Sequence, residues 1–547
     1  MKKLWPLLFI ILVTIGTACK KKDFNADLLV KNAVVYTVDS NFTIANAFVV
    51  NAGKIVAVGD SATLESEYVA REVVDVGGHA VYPGFIDDDT HFYDYGIGLQ
   101  QADLTATRSW QDVLDSVSSY GRTNTDGWII GTGWDQNKWK NKQFPNKAKL
   151  DSLFPVRPVL LYRIDGDNAA VANQAALNIA GIKPGQVING GVIETIKGKL
   201  TGMLLDNAIG IVTRKIPPPA DDDIQTGLLA AQRNCFAVGL TTVDDCSVPY
   251  TRISTIDNLQ HKGDLKMRMY LMLADRPEVY AYLAKHGVYT TPQLDVRCIK
   301  MYADGALGSR GACLLQPYSD QKNWRGMLLS SAQHLQDVAT KLAGTGFQLC
   351  THAIGDSANR VMLKIYAGVL KGKNDRRWRI EHAQVVDPQD MHYFGDYSIV
   401  PSVQPLHATS DMGWAGKRLG SRVKYAYTNK QLLQQNGWLP LGTSFPVENI
   451  NPVYTFYAAV ERKDLSGKPQ DGFQPENALN RTEALKGMTI WAAKANFEEK
   501  EKGSIEPGKF ADFVILDNDI MKVNGAALPK VKVLKTYVNG EKVYEKK

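Results

Sequence analysis

Between Pro83 and Ala495, short apolar runs alternate with amphipathic stretches. Residues 128–131, 159–162 and 240–243 are too brief for helices and read as strands, whereas 224–238 and 331–345 carry apolar residues at helical spacing. This alternation predicts βα units around a parallel sheet, and a stretch of roughly 400 residues suits a (β/α)8 TIM barrel with insertions. The two ends differ in texture. Residues 27–38, 47–50 and 54–58 read as strands with a tight turn at 51–53, and 511–516 and 533–538 repeat the pattern, closed by the hairpin signal Asn539-Gly540. Chain ends commonly meet in space, so residues 27–82 and 496–547 are expected to form one small composite β-sandwich beside a barrel spanning 83–495.

The first residues follow another pattern. Lys2 and Lys3 precede an apolar stretch from Leu4 to Ile15, then Gly16-Thr17-Ala18-Cys19. A charged start, an apolar centre and small residues before a cut site make a secretion signal, too short and one-sided for a membrane span. Small residues running into Cys19, with Lys20-Lys21-Lys22-Asp23 beyond, resemble a bacterial lipoprotein signal, although Gly16 stands where Leu is usual. The resemblance implies removal of residues 1–18, lipid on Cys19, a linker over 19–26, and a protein held on the bacterial cell envelope facing the periplasm or exterior. An ordinary cleaved signal with a chance cysteine is the alternative.

Composition narrows the classes further. At 547 residues and 44% hydrophobic content the chain can bury a large core. Six cysteines without CxxC pairs are not a disulfide scaffold, and Cys235, Cys246, Cys298, Cys313 and Cys350 read as small buried hydrophobes. The net charge of +6 is not gathered into a basic stripe with interleaved aromatics, which argues against a nucleic-acid partner. The oligomeric state stays open, a homodimer included.

Four apolar runs end in a polar residue: 80–91 at His91, 296–300 at Lys300, 348–352 at His352 and 378–382 at His382. Parallel barrel strands deliver their C-terminal residues to one mouth. Three imidazoles there suit a catalytic zinc, which takes three protein ligands and keeps one open position. Singly, each histidine has the commoner reading of a satisfied core or loop residue; jointly they favour a metal. Lys300 fits less well, because an ammonium repels a cation. Pairing with a carboxylate such as Asp304 is its ordinary reading, whereas conversion to a carbamate would make it an anionic oxygen ligand.

Several motifs bear on that choice. Pro83-Gly-Phe-Ile-Asp87 leading to His91, Lys300-Met-Tyr-Ala-Asp-Gly-Ala-Leu-Gly-Ser-Arg-Gly311, His352-Ala-Ile-Gly-Asp356, Arg379-Ile-Glu-His-Ala-Gln384 and Phe445-Pro-Val-Glu448 resemble the amidohydrolase superfamily. More narrowly they resemble its family 3, the branch with N-substituted formamide deformylase-like proteins. Gly131-Thr-Gly-Trp-Asp-Gln136, Ser402-Val-Gln-Pro405, Asp411-Met412 and the tail 503–516 extend the likeness over nearly the whole chain after the signal. The resemblance implies a barrel with a composite sandwich, a carboxylated Lys300 and a metal-activated water attacking an amide-type C–N bond. It places His91 in a first metal site, Lys300 at a bridge, and His352 and His382 in a second site.

Three positions depart from the family pattern. Asp89-Thr90-His91 replaces His-x-His, Gly442-Thr443-Ser444 replaces Gly-Ser-Asp, and Asp165-Gly166-Asp167 replaces Asp-Gly-His. The first two deplete the first site. A serine hydroxyl cannot take a proton from bound water at neutral pH, so Ser444 does not replace the usual base; Asp89, an anion able to bind zinc through oxygen, can. The expectation is one zinc or similar divalent ion at Lys300, His352 and His382, with Asp89 or Asp167 as relocated base, acting on a small amide-type substrate. A catalytically impaired surface protein that binds such a molecule is the alternative, and an ion held only structurally is a third; a bare Lys300 ammonium paired with Asp89, which stands where the family has an imidazole, could substitute electrostatically for the lost ion and would argue against the chemistry. Trp134, Asp135, Asp167, Tyr302 and Arg310 are candidate substrate contacts, although Trp134 and Trp139 also suit packing under an insertion. Glu381, beside His382, is a candidate for orienting the ligands.

Overall fold

The computed structural model describes residues 24–547. Seven parallel strands pair in chain order: Phe85–Thr90, Leu240–Val248, Arg268–Ala274, Leu294–Tyr302, Gln348–Ala353, Arg379–His382 and Val400–Ser402. Parallel bridges from Val403 to Leu441 and from Phe445 to Thr90 make residues 441–445 the eighth stave and close the barrel. Every residue of Gln348–Ala353 and Arg379–His382 is buried. Such strands read as continuous runs rather than alternating ones because helices cover the outside and side chains fill the inside. The helix expected over 224–238 runs from Asp221 to Ala237, with Asp221, Asp222 and Asp223 in its first turn, where the helix dipole favours negative charge. The one expected over 331–345 spans Ala332–Ala343, its start fixed by Ser331, whose hydroxyl accepts from the His334 amide.

Two further sheets carry the chain ends, one from N-terminal strands alone and one from both ends. Ala26–Lys31 lies between Ala47–Asn51 and Ala70–Asp75 in a four-stranded sheet, and Lys54–Gly59 pairs on the far side of Ala47–Asn51. In the six-stranded sheet the C-terminal strand Phe513–Leu516 pairs antiparallel with Ala80–Pro83, which leads directly into the first barrel strand. Phe48 of the first sheet meets Phe513 of the second edge-on with centroids 5.0 Å apart, and Phe513 stacks on Tyr537 at 4.3 Å.

The runs at 128–131 and 159–162 are not barrel strands. They form Ile129–Trp134 and Val159–Arg163 in a separate six-stranded sheet, inserted between the first and second barrel strands, with Ala102–Asp103, Gly166–Ala172, Lys199–Asp206 and Gly191–Ile196. A short apolar run bounded by turns looks the same in either sheet, since only its distant pairing partner tells them apart. Trp134 and Trp139 pack one face of this sheet with Leu150, and Leu160, Leu204 and Ile209 pack the other.

Candidate active site

Three buried side chains meet at the C-terminal end of the barrel. Lys300 Nζ lies 3.2 Å from Asp89 Oδ1 and 3.2 Å from Cys246 Sγ, and Cys246 Sγ donates to the same Asp89 oxygen at 3.0 Å. Asp89 Oδ2 accepts from Gln404 Nε2 at 2.8 Å. Gln404 Oε1 in turn lies 2.7 Å from His382 Nδ1, which places the ring proton on Nδ1 and leaves His382 Nε2, 3.9 Å from Asp89 Oδ2, with a free lone pair. Burial raises the Asp89 carboxyl, but the Lys300 ammonium, aided by the hydrogen bond from Cys246, outweighs it and holds the group far below the usual carboxylate range. Burial works against the Lys300 ammonium, and Asp89 and Cys246 more than restore it, so its pKa sits well above the ordinary value. The pair is therefore ionised.

The imidazoles lie around this network. His352 and His382 meet edge to face with centroids 4.5 Å apart, and His352 Nε2 is buried with no hydrogen-bond partner. Burial pushes His382 down to about 3 and His91 down to about 4, and holds His352 well below its ordinary value, so all three are neutral near pH 7. His91 is the most open of them, its side chain 23% exposed. Tyr302 walls this space, with its ring 5.2 Å from that of His352 and its hydroxyl 2.9 Å from Ser247 Oγ.

The other expected residues take different places. Asp304 does not pair with Lys300: its carboxylate accepts from the amides of Cys313, Ile354 and Gly355 at 2.8–2.9 Å. Ser444 contributes backbone, its amide donating to the Asp89 carbonyl at 2.7 Å from a left-handed φ of 58°. Glu381 does not orient His382; it accepts from Arg379 Nε at 2.7 Å and from the Ser402 hydroxyl, which uses both its oxygens. Trp134 is fully buried and donates its indole N–H to the Leu161 carbonyl at 2.8 Å, so it packs the insertion rather than lining a mouth. Asp135 is tied to Arg163 at 2.6 Å, and Arg163 also holds Asp165 at 2.5 Å. Asp167 falls in strand Gly166–Ala172, its side chain outside the described residues. Cys19 also lies outside them.

Arg310 is turned toward Asp320, with contacts of 3.2 and 3.0 Å and about a quarter of each side chain exposed. An ion pair this open contributes little. Arg310→Ala is expected to change stability by less than about 1 kcal/mol, read by urea unfolding, and to leave turnover unaltered.

Two members of the centre were not singled out in the sequence. Cys246 lies near the C-terminal end of the strand Leu240–Val248, two residues before its last. Gln404 sits within Ser402-Val-Gln-Pro405. Beyond His382, His407 stacks at 5.7 Å and is held by Glu448 at 3.0 Å.

The donor set divides in its fitness for a metal. Both Asp89 oxygens are engaged, Ser444 stands where a carboxylate is usual, and the Lys300 ammonium repels a cation, so the first half does not fit an ion. A carbamate on Lys300 needs a neutral amine, which Asp89 disfavours. The second half fits better: His352 Nε2 makes no hydrogen bond, with Asp304 Oδ1 3.8 Å away, and His382 is neutral, so both are imidazole donors. Among the described residues no group of three or more His, Cys, Asp or Glu side chains is arranged to hold an ion.

A parallel barrel with a polar, imidazole-lined mouth at its strand ends defines an α/β-barrel protein with its candidate centre on the C-terminal face. The chain belongs to the amidohydrolase family, whose family 3 model matches residues 72–544. It is 32% identical to Protein LONG AFTER FAR-RED 3 of Arabidopsis thaliana, over 95% of this chain and 92% of that one. It is 31% identical to Putative amidohydrolase YtcJ of Bacillus subtilis (94% and 98%) and 27% identical to N-substituted formamide deformylase of Arthrobacter pascens (95% and 98%). Among solved structures, an uncharacterized metal-dependent hydrolase from Pyrococcus horikoshii superposes with a TM-score of 0.74 at 26% identity, covering 91% of this chain and 99% of that one.

Proposed function

We propose that the chain hydrolyses a non-peptide C–N bond, of amide or N-acyl type, in a small molecule, with a centre in which only the half around His352 and His382 is suited to a metal ion. The observation that carries this reading is His352 Nε2, buried without a hydrogen bond beside a second neutral imidazole at the barrel mouth. His352 and His382 would hold one zinc or similar divalent ion, which supplies polarisation of the substrate carbonyl and a more acidic water when bound. Gln404 fixes the His382 tautomer, and Tyr302 closes the wall behind His352. Family membership supports an amide-type bond, as does the name of the formamide deformylase relative.

The test is release of aniline from N-formylaniline and acetanilide, with zinc titrated from zero to two equivalents. Release rising to one equivalent and then level is the expected result. No release from any amide, together with saturable binding of one of them, would support the alternative of a surface binding protein. The engagement of both Asp89 oxygens favours that second reading.

No described helix is long and apolar enough to cross a membrane. The proposed membrane attachment, on the bacterial envelope, therefore rests on lipid at Cys19. Cys19→Ser is expected to move the protein from the detergent-soluble membrane fraction to the aqueous fraction, followed by immunoblot. An unchanged distribution would show that the cysteine is incidental.

A further inference from the structure

We infer that Asp206, at the end of the inserted strand Lys199–Asp206, is a positioning residue for the half of the centre suited to an ion: wedged against Gly305 and Gly311, it holds the loop whose backbone fixes the His352 ring. The inference rests on the reading that His352 holds an ion, and it names what keeps that ring turned to the mouth. The His352 ring is hydrogen-bonded to the Gly305 backbone, and because Nε2 is the nitrogen without a hydrogen bond, the N–H that donates to the Gly305 carbonyl is on Nδ1. Nε2 is thereby left with the lone pair that a metal requires.

Gly305 is pinned from two sides. On one, the neighbouring Asp304 carboxylate accepts from the amides of Cys313, Ile354 and Gly355, which ties the loop to the turn that follows His352. On the other stands Asp206. A Cβ built on Gly305 would lie 2.3 Å from Asp206 Oδ1, and one on Gly311 would lie 2.9 and 3.0 Å from the two carboxyl oxygens, so the flat group fills the slot between these glycines. Contacts this close leave the loop no room to move toward the insertion.

Asp206 holds this place against local preference. It is 6% exposed, its Oδ1 has no hydrogen-bond partner, and its backbone takes a left-handed φ of 51°, which residues other than glycine seldom adopt. Such features persist where the surroundings demand them, and they gather at working sites. Asp165 on the adjoining hairpin and Asp304 on the loop face the carboxyl, Tyr318 lies nearby, and among the described residues no cation pairs with it; burial and the two acids hold it well above the usual carboxylate range. It therefore acts as a neutral, planar group. The bland reading is that Asp206 only docks the insertion onto the barrel. Its neighbours already do so, since Asn168 Oδ1 accepts from the Ala306 amide at 2.9 Å and Asn207 Nδ2 donates to the Leu329 carbonyl at 3.1 Å.

Two readouts on the full chain test the inference: zinc affinity, by competition with a chelating dye, and the His352 ring tautomer, by nitrogen NMR of the zinc-free protein labelled at histidine. Asp206→Ala is expected to weaken zinc binding by about tenfold or more and to give His352 signals of both tautomers. Asp206→Asn, which keeps the planar neutral shape, should stay at the wild-type values. Gly305→Ala, driven against Oδ1, should show the same two losses, and Asp206→Ala added to it should restore much of both. A lower melting temperature in Asp206→Ala with affinity and tautomer unchanged would leave Asp206 a docking residue and overturn the inference. Losses in Asp206→Asn as large as in Asp206→Ala would also overturn it, because charge and not the wedge would then be at work. If His352→Ala leaves zinc affinity unchanged, the metal reading fails by itself; mixed tautomers in Asp206→Ala would still support the wedge, and a single one would overturn it.

Discussion

Lys300→Met will destabilise the protein by about 3–5 kcal/mol, because it leaves the Asp89 carboxylate buried and without its cation. Asp89 is fully buried and Lys300 is 1% exposed, so solvent does not screen the pair. Gln404 and Cys246 continue to donate to Asp89, yet neutral donors do not offset a whole charge. Adding Asp89→Asn removes the stranded charge, and the double variant should recover a large part of the loss in urea unfolding. If Lys300 instead carried a carbamate between two ions, removing Asp89 as well would recover nothing.

The second large effect concerns ion content. Asp89→His together with Ser444→Asp will raise the zinc bound per chain from one ion to two, measured by elemental analysis after gel filtration. The pair restores an imidazole and a carboxylate where the family has them, and frees Lys300 from its counter-ion. Ser444 sits one backbone hydrogen bond from residue 89, its amide 2.7 Å from that carbonyl, so both replacements fall in one space. An unchanged count would mean that Cys246 and Gln404 have reshaped this half beyond the two ligands.

Particular elements show what the sequence made legible. His91, Lys300, His352 and His382 could be placed at strand ends because buried parallel strands leave a continuous apolar run that stops at the polar residue. The runs at 128–131 and 159–162 have the same texture and belong to the inserted sheet, since nothing local records a strand's partner. The eighth stave at 441–445 is held by isolated bridges and carried no strand pattern. The partner of Lys300 was legible from one substitution and not from spacing: Asp89, a carboxylate where the family has an imidazole, pointed to the pairing that the structure shows at 3.2 Å. Asp304, four residues away, was the nearest carboxylate in sequence, but backbone amides claim it, and the true partner lies 211 positions away. Cys246 was read from its chemistry as a hydrophobe, and only the barrel's closure brings an acid and an ammonium to its sulfur.

The central claim is that one half of the family's centre is kept and the other is filled by side chains. Anomalous diffraction at the zinc edge, from crystals grown with excess zinc, tests it most directly. One ion at His352 and His382, with Lys300 Nζ still within hydrogen-bond reach of Asp89, is the result this account predicts. Two ions bridged by a carboxylated Lys300 would contradict it.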